Sequence, residues 1–161
     1  MTALLLLHVT FVVLHVATAA AWFGLALRLS GESRAVAAAE PAVAPALALS
    51  ALRGVRQLGT FLIVSLVFAL GAVFTNGGFS TYSWAIWWNI HVSLALLLVL
   101  IALHFAVVAP GWRSLRAAAG TDAAPATRRR IAAAIGVGHL TWFAILVLMF
   151  WQRVSAATSV G

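Results

Sequence analysis

Four apolar runs, each close to the length of a membrane crossing, set the limits on what this chain can fold into. They cover residues 4–27, 58–74, 83–109 and 131–151. About 20 apolar residues in a helix cross roughly 30 Å of hydrocarbon. Inside that layer a backbone must pair its own N–H and C=O groups, so each run is predicted to be helical. The 161-residue chain is 64% hydrophobic and 8% charged, whereas an average soluble domain is roughly half apolar and about a quarter charged. A soluble globule could not hide that excess, and intrinsic disorder is excluded on the same ground. The expected fold is all-α: one integral membrane domain over residues 1–161, an antiparallel four-helix bundle whose main partner is the lipid bilayer.

The first run has Ala-rich positions 17–21 that resemble a signal-peptidase site. It lacks a basic leader and exceeds the usual apolar length of a signal peptide, so it is expected to stay as a helix. Orientation follows from arginine. Arg28, Arg34, Arg53 and Arg56 flank the first connection, and Arg113, Arg116, Arg128, Arg129 and Arg130 flank the third. The second connection is uncharged, and Arg153 stands alone beyond the fourth run, which closes at Gln152-Arg153. Arginine-rich connections stay in the cytoplasm, which puts both termini outside, in a bacterial inner membrane. Trp84, Trp87, Trp88 and Trp151 then form an outer aromatic belt, and Trp112 marks the inner interface. The net charge of +7 is explained by this anchoring, and no nucleic-acid partner is implied. Residues 31–50, with Pro41 and Pro45, read as a short surface helix or a loose linker. Residues 117–126 read as a plain loop.

The chemistry-bearing residues are His8, His15, His91, His104 and His139, all inside the expected spans. A lone membrane histidine often just bonds a carbonyl on a neighbouring helix. Five in three of the four spans, with no acid beside them, favour a ligand role. His8 and His15 are seven residues apart and share one helix face, about 10 Å apart in height. Phe11, Thr18 and Trp22 complete that stripe. His91 and His104 are thirteen apart, roughly 20 Å along the axis and about 140° around it, so they address different neighbours in opposite halves of the membrane. By depth, His91 matches His15 or His8, and His104 matches His139.

Neutral imidazole suits iron, copper, zinc and nickel. A closed zinc or copper site wants three or four ligands at one depth, commonly with Cys or carboxylate. Here the histidines are spread in depth, Cys is absent, and the Met residues are Met1 and Met149. Two axial histidines suffice for a b-type haem. The expected metal ligands are therefore His15, His91, His104 and His139 around one or two haems b, with His8 as a further cofactor-side candidate, and copper is the weaker fit. The absence of Cys excludes covalent haem attachment and disulfides. Gly54, Gly59, Gly71, Gly136 and Gly138 either make room for a flat ring or let helices pack closely. Arg28, Arg53 and Arg56 read first as topology anchors, with pairing to haem propionates as the alternative for the cofactor site. No carboxylate lies within a span to act as a base. Ser65 and Ser93 sit in no nucleophile motif, and no phosphate-binding loop is present.

The stretch from His15 through Trp22 to Gly24, a histidine followed by small residues and Trp-x-Gly, resembles the first helix of CopD-like and HemJ-like four-helix membrane proteins. Trp88-Asn89-Ile90-His91 and the helix ending near His104 resemble their third helix. The resemblance covers helices one to three and falls on His15, His91 and His104. It implies haem or copper association and, for the HemJ-like branch, porphyrinogen oxidation. The lysine those proteins carry near the third-helix Trp has no counterpart here. Together these readings predict a bis-histidine b-type haem protein that transfers electrons, with a quinone or a larger membrane complex as partner. A stand-alone enzyme is the lesser expectation. The alternatives are a porphyrinogen oxidase, a copper permease and a cofactor-free accessory subunit.

Overall fold

The computed structural model describes residues 2–158, and for Ala85 and residues 152–158 it describes the backbone alone. Met1 and the side chains of Gln152 and Arg153 lie outside the described residues. Helix α1 spans Ala3–Ala38, α2 spans Ala44–Thr75 and α3 spans Trp84–Leu103. A single π turn, His104–Val108, joins α3 to α4 (Ala109–Ala118), and α5 spans Ala124–Thr158. Among the described residues there is no strand. Four rods are long and apolar enough to cross a membrane: α1, α2, the continuous Ile86–Ala118 and Ala124–Trp151. They form a four-helix bundle. Partners of α1 along α2 fall in reverse order, His8 with Ala72, His15 with Ser65, Leu29 with Gly54.

The helices overrun the apolar runs. At 36 residues, α1 is about 54 Å long. Charge marks where hydrocarbon would end, but it does not stop a helix. Beyond Arg28, residues Leu29, Ser33 and Val36 keep one buried stripe going. Proline stops α3 no better. Pro110 sits just past the π turn, whose widened backbone accommodates a residue that cannot continue the regular ladder. Residues 31–50, read as a short surface helix or a loose linker, are instead the ends of α1 and α2 with a short connection between them, and the expected loop at 117–126 narrows to the turn between Ala118 and Ala124.

Packing is uneven along the bundle axis. Leu29, Val36, Ala48, Val55, Leu58, Trp112, Leu115 and Ile131 form one buried cluster at the end that carries the arginines. Trp112, expected at an interface, is fully buried there. The rod continues through the π turn and Pro110, and on it Trp112 and Leu115 pack into that cluster with Ile131. At the opposite end, Leu4, Leu5, Leu6, Leu7, Trp84, Trp88 and Trp151 are exposed. That placement of Trp84, Trp88 and Trp151 agrees with the aromatic belt. Trp87 is half-buried at a kink (φ −115°, ψ 30°) and packs on Tyr82.

The first and third connections touch. A Cβ on Gly120 would lie 2.8 Å from Pro41 Cα, and Gly120 has φ +80°. Only glycine suits both the left-handed backbone and the close approach. Gly120→Ala should therefore lower the stability of the detergent-solubilised protein by about 1–3 kcal/mol. Gly136, helical and with open space around it, is the control: Gly136→Ala should be neutral or gain up to about 1 kcal/mol. Equal thermal midpoints for the two variants would contradict this packing.

Candidate functional site

The half away from the two arginine-rich connections opens inside the bundle. A cavity of about 450 Å³ lies among α1, α2, α3 and α5. It is lined by His8 and His15 from α1, Ser65 from α2, Tyr82 before α3, Ser93 and Leu97 from α3, and Trp142 and Met149 from α5, with Trp22 among its walls. The volume falls in the range of small-molecule sites, and the lining is apolar with a few polar groups, as such sites are.

The heptad stripe on α1 explains how the histidines reach it. His8, Phe11, His15 and Thr18 are half-buried and Trp22 is buried, while Val9, Val12, Val13 and Val16 are exposed. The stripe faces α2, where Phe11 meets Phe68. Thr18 Oγ1 donates within its own helix, to the Leu14 and His15 carbonyls. His15 Nδ1 lies 2.9 Å from the Ser65 carbonyl and 3.0 Å from Ser65 Oγ. His8 Nδ1 lies 2.9 Å from the Ala72 carbonyl and 3.2 Å from Thr75 Oγ1. A carbonyl only accepts, so each Nδ1 carries the proton and donates it. In the neutral ring Nε2 then keeps its lone pair. This is the arrangement of metal-binding histidines, whose other ring N–H is held by a carbonyl or carboxylate. Two buried polar atoms of the wall, Trp22 Nε1 and Ser93 Oγ, have no hydrogen-bond partner within the protein.

The other three histidines are placed apart. His91 Nε2–H donates to the Tyr82 carbonyl at 2.7 Å, with its ring against Phe79 and Trp84. It fixes a wall residue of the cavity and does not line the cavity itself. His104 is 4% exposed and turns to α2, where a Cβ on Gly59 would lie 2.6 Å from its Nε2. Its Nδ1 is unpartnered. His139 packs on Trp22 and Phe23 of α1, and its Nε2 is unpartnered. His104 and His139 thus face different helices. Among the described residues, no group of three or more His, Cys, Asp or Glu side chains is placed to hold a metal ion.

The remaining candidates resolve as follows. Arg28 pairs with Glu32 at 2.7 Å on the surface. Arg53 is exposed, and Arg56 lines a second groove at the arginine-bearing end. Neither Arg53 nor Arg56 lines the histidine cavity. Gly54, Gly59, Gly71 and Gly138 each face a neighbouring helix's side chain at packing distance or closer, which is the close-packing role. Asn89, 1% exposed, donates from Nδ2 to the Leu148 carbonyl and ties α3 to α5. Sequence reasoning did not single out Tyr82 as a wall or group Arg113 and Arg116 with Arg56. The spacing of Arg113 and Arg116, three apart after Pro110-Gly111, was the signal available for the latter.

Comparison with family models, curated proteins and solved structures finds no match for this chain.

The hydrogen bonds fix tautomers that can be measured. Nitrogen NMR of the labelled protein, with no cofactor added, should show His8 and His15 protonated at Nδ1 and His91 protonated at Nε2. An Nε2–H form for His15 would contradict its bond to the Ser65 carbonyl.

Proposed function

We propose that this chain is a b-type haem protein of a bacterial inner membrane, an antiparallel bundle with both termini outside, serving electron transfer within a larger membrane complex. One observation carries the reading: His8 and His15 line one apolar cavity, and each has Nδ1 fixed by a carbonyl and Nε2 left to ligate. The residues present fit a haem in that respect. Haem supplies one-electron chemistry when bound. The chain supplies ligation, burial and exclusion of water. His15 is the first ligand to test, because it lies deeper than His8 and carries the resemblance to CopD-like and HemJ-like proteins. His91 Nε2 is committed to Tyr82, so a bis-histidine pair with His91 would use Nδ1 or displace that bond. A second haem between His104 and His139 has less support, since the two rings face different helices. A quinone is the electron partner this reading proposes.

A second reading has its own observation. His8, His15 and His91 each bond a carbonyl of another segment, which is what purely structural membrane histidines do. That favours a cofactor-free accessory subunit. Porphyrinogen oxidation and copper transport gain no such support.

Absorption spectra of the protein purified from haem-replete membranes separate the two readings. The haem reading expects a b-type reduced spectrum with one haem per chain, lost in His15→Ala and kept in His104→Ala. Absence of the spectrum in the unmodified protein leaves the structural reading standing. Loss in His104→Ala with retention in His15→Ala moves the site to the other half.

Topology has a separate test, made simple by the absence of Cys. Glu40 and Ser80 are exposed in the first and second connections. In intact cells, Ser80→Cys should react with an impermeant thiol reagent and Glu40→Cys should not. The reverse pattern would invert the bundle.

A further inference from the structure

The arginine-bearing half holds a second concavity that the haem reading does not use. A groove of about 770 Å³ runs between α2 and the rod formed by α3, the π turn and α4. Arg56 of α2 stands on one side, and Arg113 and Arg116 of α4 on the other. All three are exposed. Among the described residues the one ion pair is Arg28 with Glu32, so these three guanidinium groups have no carboxylate partner. Toward the middle of the bundle the lining turns apolar, with Ile63 and Phe105 exposed beside it. The buried end is closed by His104 and Gly59.

We infer that this groove binds an anionic phospholipid, its phosphate held by Arg56, Arg113 and Arg116 and the first part of one acyl chain lying over Phe105 and Ile63. Charge complementarity selects the headgroup. Guanidinium groups recognise phosphate oxygens by paired hydrogen bonds, and basic pockets between membrane helices are suited to acidic headgroups. The apolar half selects a lipid over a free anion. The groove opens on exposed apolar side chains, so an acyl chain can enter from the bilayer and its remainder can stay there. Arg113 and Arg116 are three apart on one helix and so share a face. The inference is independent of haem in the other half.

The test uses the full-length protein in a neutral detergent, with bound lipid counted by native mass spectrometry. Phosphatidylglycerol and phosphatidylcholine with identical chains are titrated separately. Both lipids carry the phosphate, but the choline cation of phosphatidylcholine is repelled by the three guanidinium groups, so phosphatidylglycerol should bind on the order of tenfold more tightly. The combined variant Arg56→Gln, Arg113→Gln, Arg116→Gln should lose that preference. A control with equal charge loss, Arg34→Gln, Arg129→Gln, Arg130→Gln, should retain it. All six side chains are exposed, and an unchanged helical circular dichroism spectrum verifies folding. Equal loss in both variants, or no preference in the unmodified protein, would overturn the site. Inorganic phosphate displacing phosphatidylglycerol at comparable concentration would overturn the lipid and leave a simple anion site.

Discussion

In hydrocarbon an unpaired backbone amide costs several kcal/mol, and there is no water to relieve it. That cost makes each apolar run a helix before any side chain is considered. It also decides how the helices can be modified. The π turn at His104–Val108 and the kink at Trp87 depart from regular α geometry without leaving the helix. Bonds to helical carbonyls follow the same logic. A carbonyl has two acceptor sites, and the helical ladder uses one. His8 and His15 therefore reach Ala72 and Ser65 without opening α2.

Between lipid-facing helices the drive to pack is weak, since lipid tails are as apolar as leucine. Close approach then depends on small residues and shape. The arginine-bearing half has both: Ala26, Ala44, Ala48, Ala51 and Ala134 are buried there around Trp112, Leu29 and Leu115. The other half offers large side chains on the surface and polar ones inside. Ser65, Asn89 and Ser93 are buried, and the cavity forms beside Ser65, Ser93 and the histidines of α1. The arginine-bearing half is closely packed inside and its groove lies at the surface, whereas the other half leaves a cavity between the helices.

The spans and the inward face of α1 were legible because both are periodic signals within one helix. His8, Phe11, His15, Thr18 and Trp22 all turned inward together, as their heptad spacing requires. Helix ends were less legible, because Arg28 and Pro110 look like stops. Leu29, Ser33 and Val36 carry α1 past the first, and the π turn carries the chain past the second. Trp112 looked like an interfacial anchor because nothing in the sequence showed that its helix continues packed against the core beyond Pro110. The pairing of histidines between helices was not legible. Depth counted along each helix fixes height but not rotation, and a ring reaches only the neighbour its rotation allows. Thus His91 meets Tyr82, His104 meets Gly59, and His139 meets Trp22 and Phe23.

A neutral imidazole has one donor and one acceptor nitrogen, and the placement of both decides what it can do. For His91 the donor is spent on the loop that closes the cavity, so its contribution is to hold Tyr82 in place. For His104 and His139 a ring nitrogen is buried without a partner, a cost of about 1–3 kcal/mol in each case. His8 and His15 differ from all three. Their donors are held by a rigid helix, which orients the rings, and their rings border a cavity large enough for a ligand. Their rings are half-buried, and the same wall carries Trp22 Nε1 and Ser93 Oγ, both buried without a partner within the protein, so polar contacts are on offer there that the chain itself does not use. The histidine, serine and tryptophan groups on its wall distinguish this cavity from a gap lined by apolar side chains alone.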